Sequence, residues 1–297
     1  MNIGFIGLGK MGSGMAKNLM QYCRHNGDSL HVFDLNSDTV NQFKELGAIA
    51  AESTTEIAKS CEVIFTSLPS AKQIAEIACG EQGLLCNARE NTWWFETSTN
   101  DLVEWEKIKS QAPASMTLID APVTGGAEGA AAGSLTMLLG SDHELPPELQ
   151  SILQSFTKKI SLMGKSGAGY TTKLVQLHLN YLVAQGIGEA LMLGAKAELD
   201  LNTLYGVLQN SCAQSYVVDN YIPKVLDGSY DTSFALGLAK KDMALIKSLG
   251  EFQNVELSLA NMVYDTYCSA TDTYGHDAPH LSVLRLLEEK SSQLLRS

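Results

Sequence analysis

Between an apolar run at residues 2–6 and a helical pattern that starts at Met11, the chain carries Gly7-Leu8-Gly9-Lys10-Met11-Gly12. Glycines at the first, third and sixth places of a strand-to-helix turn leave few folds open. The first permits a tight turn, the second lets a pyrophosphate approach the backbone, and the third lets the helix pack close to its strand. The helix N-terminus then presents unpaired N–H groups and a partial positive charge. Asp34 completes the pattern 22 residues beyond Gly12, at the end of the second apolar run, where an acid binds the hydroxyls of an adenosine ribose. That carboxylate repels a 2′-phosphate, and Leu35 and Asn36 bring no arginine to offset it. NAD is therefore expected before NADP, with Lys10 as the loop cation that could instead meet a phosphate.

Short apolar runs alternate with helical patterns through the first half, as a parallel sheet with crossover helices requires. Strands are expected at residues 2–6, 30–33, 63–67, 93–96 and 117–119, with a further pair at 135–139 and 160–163. Helical stretches such as 11–24 and 38–46 fill the gaps. After Gly164 only helical patterns remain: a long one from about 170 to 197, then 202–209, 215–226, 235–249, 257–270 and 280–295. The expected fold is α/β, an N-terminal Rossmann-type doubly wound domain (1–164) followed by an all-α domain (165–297) for substrate and oligomerisation. The long helix is apolar on most sides, which predicts burial on most sides, as a central helix between domains with a subunit interface as its second neighbour. A homodimer or homotetramer is the expectation.

Composition excludes several partners. A formal charge of -12 opposes nucleic acid or an anionic membrane as the main partner, since both need positive potential. The most apolar segment, 174–197, is interrupted by Gln176, His178, Asn180, Gln185 and Glu189, which favours a buried helix over a membrane span. No leader is expected, because a strand pattern begins at Asn2. Six cysteines (Cys23, Cys61, Cys79, Cys86, Cys212, Cys268) show no C-x-x-C pair and read as thiols in a reducing compartment. The protein is expected in the cytoplasm. His276 and His280 stand apart from any carboxylate or cysteine cluster, so no metal is expected.

In its glycine loop and in three later stretches the chain resembles the β-hydroxyacid dehydrogenases, which include 3-hydroxyisobutyrate dehydrogenase, tartronate semialdehyde reductase and, more distantly, 6-phosphogluconate dehydrogenase. The later stretches are Asp120-Ala121-Pro122-Val123-Thr124-Gly125-Gly126 with Gly133-Ser134-Leu135, Gly167-Ala168-Gly169 with Lys173, and Phe234 with Lys241-Asp242. The resemblance covers nearly the whole chain. It implies that Leu68, Pro69, Ser98 and Thr99 face the cofactor at strand ends, joined by Lys241 from the helical half. It implies that Thr124, Gly125 and Gly126 hold a substrate carboxylate, with Tyr216 and Phe234 as aromatic walls, and that Lys173 is the catalytic residue.

Oxidising a hydroxy acid requires the hydroxyl proton to leave while hydride departs from the same carbon, and reduction requires the reverse. A lysine serves both directions when desolvation lowers its pKa towards neutrality. The chain departs from the resemblance just beyond Lys173. Relatives commonly carry asparagine three or four residues on, and here Gln176 and Leu177 stand there. Gln176 keeps the amide on a longer arm, Leu177 removes it, and Thr124 replaces a more usual serine. His178 lies off the Lys173 face and reads as a helix-packing histidine.

The leading expectation is hydride transfer between NAD(H) and a small β-hydroxy acid or its semialdehyde. A second keeps the cofactor but changes the electrophile to a neutral aldehyde, a sulfonated aldehyde or an imine. A third, of another class, is a non-catalytic NAD-binding scaffold, whose expected mark is loss of the lysine.

Overall fold

Along the central strands of the first half, alternate side chains enter two different cores, so the middle of the sheet is covered on both faces. The computed structural model describes residues 1–296. Its strands are β1 (Asn2–Ile6), β2 (Ser29–Phe33), β3 (Ile49–Ala50), β4 (Val63–Thr66), β5 (Thr92–Glu96), β6 (Met116–Asp120), β7 (Val123–Thr124), β8 (Leu135–Gly140) and β9 (Thr157–Gly164). Phe5, Phe65 and Phe95 stack on one face at centroid distances of 6.1 and 5.3 Å. Ile64, Trp94 and Leu118, one residue out of phase, enter the opposite core.

The strands run in the order β3-β2-β1-β4-β5-β6-β8-β7, with β9 added on β8. Pairing is parallel from β3 through β6. It turns antiparallel at β8, where Asp120 faces Gly140 and Val123 faces Met137, and β9 runs parallel to β8. Chain direction across the sheet reverses between β1 and β4, and a crevice opens outside the carboxyl ends of strands at such a switch point. All seven expected strands form, with ends shifted by up to three residues. The two unforeseen strands, β3 and β7, have two residues each, too few to show a period.

The helices are α1 (Lys10–Asn26), α2 (Ser37–Glu45), α3 (Thr54–Ser60), α4 (Ala71–Ala78), α5 (Leu84–Asn87), α6 (Leu102–Gln111), α7 (Gly126–Ala131), α8 (Pro147–Gln154) and α9 (Ala168–Lys196). After α9 come α10 (Leu201–Gln209), α11 (Tyr216–Leu226), α12 (Leu236–Phe252), α13 (Ser258–Tyr274), a 3-10 turn (His280–Leu284) and α14 (Arg285–Ser291). The chain divides into two compact units, Met1–Lys173 and a second that starts at Leu174. The second unit has its own core, in which Leu174, Tyr181, Ile187 and Leu191 of α9 meet Val218, Ile222, Met243, Ala260 and Tyr267.

One helical expectation needs correction. The single helix expected at 280–295 is a 3-10 turn followed by α14, which ends at Ser292 in a left-handed conformation (φ 48°). The chain is drawn back there because Leu295 N–H donates to Glu288 Oε1 at 2.7 Å. Within this chain helix α9 leaves Val175, Leu179 and Leu193 59, 63 and 74% exposed. Among the described residues, no helix is long and apolar enough to cross a membrane.

Candidate functional site

The glycine loop takes up the geometry its sequence demands. Gly7 sits at φ +93°, and a Cβ there would lie 2.2 Å from Ser67 O. A Cβ on Gly12 would lie 1.9 Å from Gly7 O, whereas one on Gly9 would meet nothing within 4 Å. Gly9 caps α1 without a side-chain hydrogen bond, and no acid occupies the first turn. A helix start without a side-chain cap is the kind of place a dinucleotide pyrophosphate takes. Asp34 follows β2 and its carboxylate accepts from Leu8 N–H at 2.5 Å and Asn36 N–H at 2.8 Å. The acid therefore holds the glycine loop itself, a role the spacing alone did not reveal.

Loops after β4 and β5 complete this side. Leu68 N–H donates to Ser98 Oγ at 2.7 Å, and Ser98 Oγ–H donates in turn to Glu96 Oε1. Ser98 N–H reaches the same oxygen at 3.1 Å. The second oxygen of Glu96 accepts from the Tyr170 hydroxyl. Glu96 and Tyr170 are both fully buried, and burial pushes the Glu96 carboxyl up to about 7. Pro69 and Lys10 are exposed, and Thr99 is half-buried.

Thr124 ends β7, and Gly125 and Gly126 follow at φ +130° and +69°, values that favour glycine. Helix α7 behind them packs on α1. A Cβ on Gly14 would lie 2.7 Å from the Ala130 backbone, and Asn18 Nδ2 donates to Ala130 O at 2.9 Å and Ala131 O at 3.2 Å. The other end of the Thr124 loop ties to α9. Asp120 accepts from Gly167 N–H (2.7 Å), Gly169 N–H (2.8 Å) and Tyr170 N–H (3.2 Å). Burial raises its carboxyl to about 6 even against these three donors. Gly169 permits the approach, since a Cβ there would lie 2.4 Å from Leu138 O. Lys173, half-buried, stands on the second turn of the helix so anchored.

In the second unit Gln176 is exposed and Leu177 buried. One turn further, Asn180 lies 3.3 Å from the Tyr221 hydroxyl. Tyr216, 67% exposed, packs edge-on to Tyr221, and Phe234 packs edge-on to His280, so a shared Tyr221–His280 contact joins the two expected aromatic walls. His280 Nε2 lies 3.0 Å from Asp231. Lys241 Nζ pairs with Asp242 Oδ1 at 3.0 Å, and Asp242 Oδ2 accepts from the Tyr181 hydroxyl at 2.9 Å. Asn180, Tyr221 and the Asp231–His280 pair went unread because their partners are 41 and 49 residues away in sequence. Among the described residues, no group of three His, Cys, Asp or Glu side chains could hold a metal ion.

Strand order and glycine loop are those of a dinucleotide-binding α/β sheet. Residues 2–164 match the family described as the NAD binding domain of 6-phosphogluconate dehydrogenase. Residues 167–287 match the one described as NAD-binding of NADP-dependent 3-hydroxyisobutyrate dehydrogenase. The chain is 33% identical to the probable mitochondrial 3-hydroxyisobutyrate dehydrogenase of Dictyostelium discoideum, with 89% of this chain and 84% of the relative covered. It is also 33% identical to 2-(hydroxymethyl)glutarate dehydrogenase of Eubacterium barkeri, over 88% and 86% of the two chains. A solved 3-hydroxyisobutyrate dehydrogenase of Mycobacterium tuberculosis shares the fold with a TM-score of 0.85 at 24% identity, covering 96% of this chain and 98% of its own. The chain belongs to the β-hydroxyacid dehydrogenase family.

Proposed function

We propose that this protein transfers hydride between NAD(H) and a small β-hydroxy acid or its semialdehyde, with Lys173 as proton donor and acceptor. One observation carries the reading. Asp120 begins the loop that ends in Thr124-Gly125-Gly126, and its carboxylate also binds the first N–H groups of the helix that bears Lys173. A single residue thus links the carboxylate-binding loop to the proton-transfer group.

A bound nicotinamide supplies the hydride chemistry, and the open space at Gly9 with the uncapped start of α1 fits its pyrophosphate. Asp34 supports NAD over NADP because its fixed carboxylate repels a 2′-phosphate. Leu8, Met11, Leu68, Pro69, Ser98, Thr99 and Lys241 make up the rest of the proposed cofactor site, within a cofactor domain of 1–164 and a substrate domain of 165–297. Thr124 holds the substrate carboxylate by its hydroxyl, and Gly125 and Gly126 by N–H groups. Lys173 removes the proton from the substrate hydroxyl oxygen in oxidation and returns it to the carbonyl oxygen in reduction. Gln176, Tyr216 and Phe234 are the proposed substrate residues of the second unit. The scattered free cysteines support a cytoplasmic protein.

The test is NADH-dependent reduction of a panel of short semialdehydes (methylmalonate, tartronate, succinate and sulfonate members). Selective turnover of a carboxylated member is expected, and Lys173→Ala should lower it by about 10²- to 10⁴-fold. Undiminished turnover in that variant refutes the assignment. A second reading, reduction of a neutral or sulfonated aldehyde or an imine, is favoured by buried Leu177 where relatives carry an amide. It predicts no turnover of the carboxylated members, with activity only on the sulfonate member or on neutral aldehydes and imines assayed beside the panel.

A further inference from the structure

We propose that Glu96 is a positioning residue that locks the cofactor-facing loops and the helix of Lys173 into one arrangement, an inference that rests on the function proposed above. Its two oxygens serve two arms. Oε1 receives Ser98 N–H and Oγ–H, with Thr66 Oγ–H at 3.3 Å, and Ser98 Oγ in turn receives Leu68 N–H at 2.7 Å. Leu68 belongs to the segment against which Gly7 is packed, so this arm reaches the dinucleotide turn. Oε2 receives the hydroxyl of Tyr170, whose own N–H is held by Asp120. Tyr170 lies one turn before Lys173 on α9, so this second arm sets the rotation of the helix that presents the lysine.

The surroundings make the junction stiff. Trp94 Nε1–H donates to Thr66 Oγ1 at 2.9 Å, and the Trp105 ring packs edge-on against both Trp94 and Tyr170 at 5.6 and 5.3 Å. In its ionised form, which prevails above its raised pKa of about 7, the Glu96 carboxylate is an acceptor at both oxygens and can satisfy donors from both directions at once. An amide cannot. In Glu96→Gln the amide oxygen must face Ser98, whose N–H cannot reverse, and the NH₂ group then donates to the Tyr170 hydroxyl oxygen, reversing that bond and taking the acceptor from the hydroxyl proton. The substitution is therefore expected to spare the loop arm and spoil the helix arm.

Four variants separate the arms, each checked for native fold by circular dichroism and for NADH affinity by calorimetry, with kcat and KM on the substrate the panel identifies. Ser98→Ala should weaken NADH binding about tenfold. Tyr170→Phe and Glu96→Gln should leave NADH affinity within about twofold and lower kcat about tenfold, with KM little changed, as a small misplacement of a proton-transfer group does. Glu96→Ala should produce both losses. Native-like kcat and NADH affinity in a folded Glu96→Ala variant overturn the proposal, as does a Tyr170→Phe variant with wild-type kcat. Wild-type protein that binds NADH but reduces no panel member defeats the functional reading alone. The NADH affinities of Ser98→Ala and Glu96→Ala then decide the loop arm.

Discussion

The three glycines of the dinucleotide turn do different work, and substitution should separate them. Gly9→Ala puts a methyl into open space, so the melting temperature should stay near wild type while NADH affinity drops about tenfold, because the methyl takes the ligand's approach. Gly12→Ala drives a methyl onto Gly7 O, and a chemical denaturation curve should register a loss of about 2 kcal/mol or more. Equal effects from the two would contradict the geometry. Asp34→Ala should narrow the preference for NADH over NADPH, measured as a ratio of dissociation constants, and tighter NADPH binding by the wild type would sink the NAD assignment. The shape of this turn was legible because glycine spacing is a local signal of a local backbone geometry. The bond from Asp34 to Leu8 N–H was not, since the spacing marks a ribose-binding acid and carries no sign of a second duty.

Helix α9 was legible as an element, for its apolar pattern and the Gly167-Ala168-Gly169 break bracket its start correctly. What holds that start was not legible. Asp120 lies some fifty residues upstream, and no periodicity connects a strand-end acid to the N–H groups it will cap. Asp120→Ala would leave three buried donors unsatisfied, and with each unmet buried donor costing about 1–3 kcal/mol the loss should be several kcal/mol. Asp120→Asn, which keeps one acceptor oxygen, should fall between. Urea titration of both variants checks the order. The exposed Val175, Leu179 and Leu193 keep open the expectation of a second subunit on α9, and a monomeric mass by light scattering at micromolar concentration would refute it.

At the scale of the whole molecule, three buried acids set opposing slopes of stability against pH. Glu96 and Asp120 have folded-state pKa values raised by burial, to about 7 and about 6. Each holds its proton more tightly folded than unfolded, so its stabilisation is complete below about pH 4 and is lost as pH rises towards 7, on the order of 3 kcal/mol apiece. Asp231 is opposite: hydrogen bonds from His280, Ser233 and Lys224 outweigh desolvation and hold its carboxyl below the usual range. Its contribution is present above about pH 4 and is lost in acid. Melting temperature should therefore peak on the acid side of neutrality, and Glu96→Gln should flatten the fall between pH 5 and 8. A maximum above pH 8 would contradict the burial of these acids. The Trp94–Trp105–Tyr170 stack has a practical corollary. All three tryptophans of the chain, Trp93, Trp94 and Trp105, belong to the first unit, and the second contains none. Indole emission is thus an optical reporter for the sheet alone, blind to the helices beyond Lys173, and its melt set beside a calorimetric one will reveal whether the two halves come apart together.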